Sequence, residues 1–207
     1  MKQKIFLSLI VGAAGSLLAL GSPAMAQGAA PSTATLITED VLQNVRDMLD
    51  SPVVSLSLKA ENEKRKEISQ QEIDALDQAW RAEKDSDGPQ PLIAAAMGSP
   101  VSTYLLRQQA SSKGLYNEIF VMDLSGLNVG QSSITSDYWQ GDEAKVQKTL
   151  PQGAGGIFID EPEYMAETGI WVAQVNLVLS DGGEVVGVST VEINLTELER
   201  RSELGLS

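Results

Sequence analysis

The sequence predicts an α+β protein in which helices come first and a five-stranded antiparallel sheet follows. Apolar residues recur at three- and four-residue spacing up to Gly114, and beyond it they switch to alternating or continuous apolar runs. Two glycine-containing turns, Leu124-Ser125-Gly126 and Asp181-Gly182-Gly183, then join neighbouring apolar runs as hairpins.

Lys2 and Lys4 precede an apolar run from Ile5 to Leu20 that ends at Ala24-Met25-Ala26. This is the pattern of a secretory signal peptide, residues 1–26, cleaved before Gln27. A retained anchor competes, because the run to Ala26 is close to spanning length, although Gly12, Gly15, Ser16, Gly21, Ser22 and Pro23 dilute it. Residues 27–35 are small and polar, which predicts a flexible N-terminus with order beginning near Leu36.

Leu36, Ile37, Val41, Leu42, Val45, Met48 and Leu49 share one helical face, with Thr38 as N-cap, so a long N-terminal helix is expected. Pro52 kinks or restarts it, since proline is tolerated in a first helical turn. Val53, Val54, Leu56 and Leu58 lead into the charged run Lys59 to Glu67, a solvated helix face. Ser69-Gln70-Gln71-Glu72 is a capping box for a helix over about Gln70 to Glu83 that buries Ile73, Leu76 and Trp80.

Asp85-Ser86-Asp87-Gly88-Pro89 reads as a turn, because it lacks the third carboxylate and terminal glutamate of a calcium loop. Short helices are expected near Leu92 to Met97 and from Pro100 to Ala110, the latter started by Ser99 and stopped by Gly114. Strands follow at about Glu118 to Asp123, Asn128 to Ser132, Gly156 to Asp160, Ile170 to Ser180 and Glu184 to Asn194. A short helix over Asp142 to Leu150 separates the second strand from the third. The chain thus divides into a helical part (36–116), a sheet core (117–198) and a tail (199–207).

Composition removes many functions. The 207 residues contain no His and no Cys, which excludes disulfides, thiol nucleophiles, imidazole or thiolate zinc sites and His-based triads. Fifteen Lys and Arg against 28 Asp and Glu give a net charge of −13, and removal of Lys2 and Lys4 with the signal peptide makes it more negative. No nucleic-acid partner is expected, because phosphates need a basic footprint. A chain without thiols suits an oxidising compartment, and the expected location is periplasmic or secreted.

Three local patterns resemble Cache domains, the PAS-like extracytoplasmic sensor family. They are Asn117-Glu118-Ile119-Phe120-Val121-Met122-Asp123 before a glycine turn, Thr135-Ser136-Asp137-Tyr138-Trp139 before a helix, and the closing strand Val188-Ser189-Thr190-Val191-Glu192-Ile193-Asn194-Leu195. Helices first, then five antiparallel strands with a helical segment inserted, is the layout of PAS-like sensor folds. The resemblance covers about residues 36–198. It implies a small organic ligand held between the sheet and the loop and helix after the second strand, which places Asp137, Tyr138, Trp139, Gln140, Asp142 and Lys145 near the pocket. Only nine residues follow Leu198, so the expectation is a stand-alone sensor module acting through a membrane-bound signalling partner.

Tyr138 and Trp139 either wall the pocket, as stiff aromatic surfaces with one polar tip each, or pack the loop onto the sheet. In the strand Ile170 to Ser180, Trp171, Ala173, Val175, Leu177 and Leu179 share one face, while Gln174 and Asn176 fall on the other. These two carboxamides either meet a ligand or face water.

Many Cache domains carry an arginine just before the loop aromatics to grip a ligand carboxylate. Here Asp137 stands in that neighbourhood, and between Gly114 and Glu199 the basic residues are Lys145 and Lys148 alone. An amine-bearing or neutral ligand is favoured, or a carboxylate held by lysine and backbone donors. Asp160-Glu161-Pro162-Glu163, with Glu167 and Asp142, is either a charged turn or a collector of a divalent cation. A pair of carboxylates could also serve glycoside hydrolysis, but nothing in the sequence sets their separation, so no enzymatic activity and no cofactor are expected. A non-catalytic interaction module, dimerising through the N-terminal helix, is the alternative function.

Overall fold

A computed structural model describes residues 29–206. The signal-peptide segment 1–26 lies outside the described residues, as do Gln27, Gly28 and Ser207.

Three helices replace the expected long N-terminal one: α1 (Thr33–Leu36), α2 (Glu39–Leu49) and α3 (Pro52–Lys64). Thr38 caps α2 by accepting from the Val41 amide at 3.4 Å, and α3 restarts with Pro52 in its first turn, where a missing amide costs nothing. Among the described residues the first helix begins at Thr33, one turn before Leu36 and Ile37, which dock on the core. Helix α4 (Gln70–Lys84) starts at the expected capping box: Ser69 Oγ accepts from the Glu72 amide and the Glu72 carboxylate accepts from the Ser69 amide. Helices α5 (Pro91–Met97) and α6 (Pro100–Ser111) follow, the second capped by Ser99.

Beyond Gly114, whose φ is +87°, the chain runs β1 (Tyr116–Met122), β2 (Asn128–Gln131), α7 (Ala144–Gln147), a 3-10 turn at Leu150–Gln152, β3 (Ile157–Ile159), β4 (Glu163–Met165), β5 (Ile170–Asp181), β6 (Glu184–Asn194) and α8 (Leu195–Glu203). The sheet is antiparallel, ordered β2-β1-β6-β5-β3, with β4 also paired to β5. β3 lies along Val175 to Leu177 and β4 along Ile170 to Val172, so they are two halves of one edge interrupted by Asp160-Glu161-Pro162. Pro162 has no amide to give a ladder, which accounts for the break and for a strand the sequence did not separate. Helix α8 occupies much of the expected tail because Leu195 and Leu198, one turn apart, bury on the sheet while Asn194 caps the helix.

Parity gives the sheet two unlike faces. Ile119, Val121, Val175, Leu177, Val191 and Ile193 form the main core with α2, α3, α6 and α8. Phe120, Met122 and Val188 form a smaller cluster on the opposite face, covered by Val146 of α7 and Leu150. Ile73 and Trp80 of α4, Ile93 of α5, Leu127 and Tyr138 make a third cluster beside the sheet. Among the described residues no helix is long and apolar enough to cross a membrane.

Candidate functional site

The loop after β2 carries the aromatic and acidic residues singled out in the sequence, and α4 fastens it. One oxygen of Asp77 accepts from the backbone amides of Tyr138 (2.9 Å) and Trp139 (3.1 Å), and the other accepts from Arg81 at 2.8 Å. Arg81 also reaches Asp137 at 3.0 Å. The Trp80 ring stacks on Tyr138 with centroids 5.2 Å apart, and its indole donates to the Thr135 carbonyl at 3.0 Å. From α3's C-terminal end, Arg65 donates to Asp123 at 2.7 Å and to the Tyr138 hydroxyl at 2.8 Å. Burial raises the Tyr138 phenol above its ordinary value, and Arg65 opposes that shift.

These contacts give Tyr138 and Trp139 packing roles. Trp139 donates to the Ser125 carbonyl at 2.9 Å and covers the β1–β2 turn, where a Cβ on Gly141 would lie 2.4 Å from the indole nitrogen. At Gly126, with φ of +79°, a Cβ would lie 2.6 Å from the Gly141 backbone, so the turn and the loop packed on it each need glycine for want of space. Asp137 uses its backbone carbonyl to accept from Asn128, Thr135 and Gln140, and Asp142 is exposed on the loop. Gln140 is buried and bridges Asp137 to Lys145, whose ammonium lies 3.0 Å from the Gln140 carbonyl oxygen.

A cleft of about 380 Å³ opens on the sheet's second face. The start of α7 walls one side (Glu143, Ala144, Lys145), the β3–β4 turn walls another (Asp160 to Glu163), and β5 and β6 form the floor through Val172, Gln174 and Glu192. Of the ligand-binding residues expected from the sequence, Lys145 and Gln174 line it, together with Asp160, Glu161 and Glu163 of the acidic turn. Asn176, one pair along β5, is fully buried and meets neither water nor the cleft: it donates to the Phe158 carbonyl at 3.1 Å and accepts from Thr190 at 2.7 Å. It is interior sheet chemistry, a polar ladder closed on itself.

The cleft is acidic. Lys145 is its one cationic lining residue; it pairs with Glu143 at 2.9 Å and lies 5.2 Å from the centre of the Phe120 ring. Among the described residues, none of Asp160, Glu161, Glu163 and Glu192 forms an ion pair. Glu192 accepts from Asn117 at 2.5 Å and weakly from Gln174 at 3.5 Å. Glu118 is its direct cross-strand neighbour. Burial raises the Glu118 carboxyl above the usual range; the bond from Ser133 opposes this, nearby Glu192 adds to it, and Lys145 lowers it. Glu118 and Glu192 did not stand out in the sequence. The available signal was parity: each is a charged residue inside a buried strand, on the Gln174 side of the sheet. No group of three or more Asp, Glu, His or Cys side chains among the described residues is placed to hold a metal ion.

No family model matches the chain, and no curated protein matches it significantly. Among solved structures it is similar to the ligand-binding domain of the Campylobacter jejuni chemoreceptor Tlp3 in complex with 4-methylisoleucine, at 18% identity and a TM-score of 0.38, covering 84% of this chain and 66% of that one. It is also similar to the ligand-binding domain of the Pseudomonas aeruginosa amino acid chemoreceptor PctC in complex with GABA, at 17% identity and a TM-score of 0.38, covering 70% of this chain and 60% of that one. A domain of a sensory box/GGDEF family protein from Vibrio parahaemolyticus matches at 15% identity and a TM-score of 0.39, covering 76% of this chain and 53% of that one. The chain therefore spans less than two thirds of the length of these three domains. Superpositions this loose transfer neither a ligand nor a partner, and the fold is read from the chain's own elements. Helices first, an antiparallel sheet with a helical segment between its second and third strands, and a closing hairpin make it similar in architecture to PAS-like, Cache-type sensor domains.

Proposed function

We propose that this chain is a non-catalytic, sensor-type protein of the periplasm or cell exterior that binds a small amine-bearing ligand in the cleft of the sheet's second face and signals through a membrane-bound partner. One observation carries the reading: a concave site lies between the sheet and the helix after β2, and its walls hold carboxylates without cationic partners. Its volume is within the range of small-ligand sites. Carboxylates gathered around one cleft favour a cation entering it, because their fields add in the space between them. Gln174 and Lys145 add a carboxamide and an ammonium able to orient a polar second end of the ligand.

The distribution of roles in the loop supports the same location. Asp137, Tyr138, Trp139 and Gln140 are engaged by α3, α4 and the turn and none of them lines the cleft; Gln140 meets it only by holding the Lys145 ammonium. Thermal-shift and calorimetric titration with amines, amino acids and organic acids tests the proposal. Amines are expected to raise the melting temperature, and Glu192→Gln to weaken their binding at least about tenfold through loss of a charged partner. A set of amines without effect would overturn the proposal, as would equal affinity in the parent chain and in Glu192→Gln.

A further inference from the structure

Beside the acidic cleft, three carboxylates surround one ammonium. Glu118 on β1 and Glu192 on β6 are direct cross-strand partners, and Glu192 stands in the cleft floor while Glu118 does not line the cleft. Side chains so opposed start about 4.5–5.5 Å apart at Cβ, where two ionised carboxylates repel each other. Lys145 on α7 is the cation that faces them, and it is already committed. Its ammonium lies 2.9 Å from Glu143 and 3.0 Å from the Gln140 carbonyl oxygen. Among the described residues neither Glu118 nor Glu192 forms an ion pair.

Hydrogen bonds leave that excess of negative charge in place. Asn117 donates to Glu192, and the Ser133 hydroxyl, from the loop after β2, lies 2.5 Å from Glu118. A hydroxyl donates to a carboxylate or accepts from a carboxylic acid, so this contact survives both protonation states of Glu118. A proton on Glu118 relieves the pair when no ligand is bound, and its burial and its neighbour Glu192 both favour that proton. A ligand ammonium beside Glu192 relieves the same repulsion, which makes proton and ligand alternatives.

We propose that an amine seats beside Glu192 in exchange for a proton on Glu118, which leaves to solvent, so that Glu118 couples the cleft to pH without touching the ligand. The inference rests on the amine-binding reading and adds its regulation. The bound state favours ionised Glu118 and the free state protonated Glu118. Affinity therefore rises with pH and levels off once Glu118 is ionised without ligand.

Calorimetric titration with ethanolamine, propylamine and putrescine, in buffers of unlike ionisation heat from about pH 5 to 8, counts the protons released. Affinity is expected to rise at least about fivefold across the series, with proton release over the same span. Glu118→Gln, neutral at every pH, is expected to keep the parent's low-pH affinity throughout and to release no proton. Lys145→Met removes the facing cation and is expected to move the parent's rise to higher pH. No binding of any of the three amines at any pH overturns the amine reading and this inference together. Binding that ignores pH overturns the inference alone, as does an equal rise and equal proton release in Glu118→Gln, or a rise that Lys145→Met leaves in place.

Discussion

Asp77 and Asp123 beside the β2 loop, and Glu118 and Glu192 on the second face of the sheet, are all carboxylates drawn away from solvent, yet the fold surrounds them differently. Asp77 accepts two backbone amides and an arginine, and Asp123 accepts an arginine and the amides of Ser125 and Leu127. Donors converge on both, so these acids hold the loop. Glu118 and Glu192 stand opposite each other on neighbouring strands, a like-charge pairing that costs stability, with Lys145 the nearby cation. A carboxylate saturated by donors is structural, whereas Glu192, which lies beside Glu118 and lines the cleft, is available to a ligand.

Breaking the first region should be the most costly. Trp80→Ala removes a fully buried indole and its bond to Thr135, and about 3–5 kcal/mol of stability should be lost in urea unfolding. Asp77→Ala strands the amides of Tyr138 and Trp139 together and should cost about 2–4 kcal/mol, again by urea midpoint. Either variant costing less than about 1 kcal/mol would put the holding role in doubt. Tyr138→Phe removes only an acceptor for Arg65 and should cost about 1–2 kcal/mol while leaving amine affinity unchanged. A large loss of affinity in a folded Tyr138→Phe would move the site toward the loop and end the contrast.

The second region is tested more gently through pH. The Glu118 carboxyl titrates above its ordinary range in the folded chain, so its neutral form is the one the fold favours. That contribution is fully present below the ordinary glutamate range and is lost as pH rises through the raised folded value. Stability should therefore fall across that window in the parent chain, and Glu118→Gln should flatten the fall and raise the midpoint above it. Parallel pH profiles for the two would show that Glu118 is not strained by its neighbours.

Helix starts were legible because a cap is a local device. Thr38, Ser69 and Ser99 each act on an amide three residues ahead, a distance the sequence states outright. The parity of β5 was legible for the same reason, since alternation follows from backbone geometry alone. The use made of that parity was not. Asn176 and Gln174 share a face, but Asn176 is buried beneath Phe158 and Thr190 while Gln174 borders the cleft, because β3 runs alongside Asn176 and gives way beside Gln174 to the turn that begins at Asp160. Tyr138 was equally ambiguous: its stacking partner lies 58 residues earlier, on a helix whose position against the loop no local rule gives.

The sequence by itself determined the passage from helices to sheet, the glycine turns, the α+β class and an acidic chain without thiol or imidazole chemistry, because each follows from local backbone preference or from composition. Only the tertiary structure decided which carboxylates are fastened and which are left facing a void. That depends on which donors arrive from distant parts of the chain, Arg65 and Arg81 reaching the loop while Lys145 alone stands among the acids of the cleft.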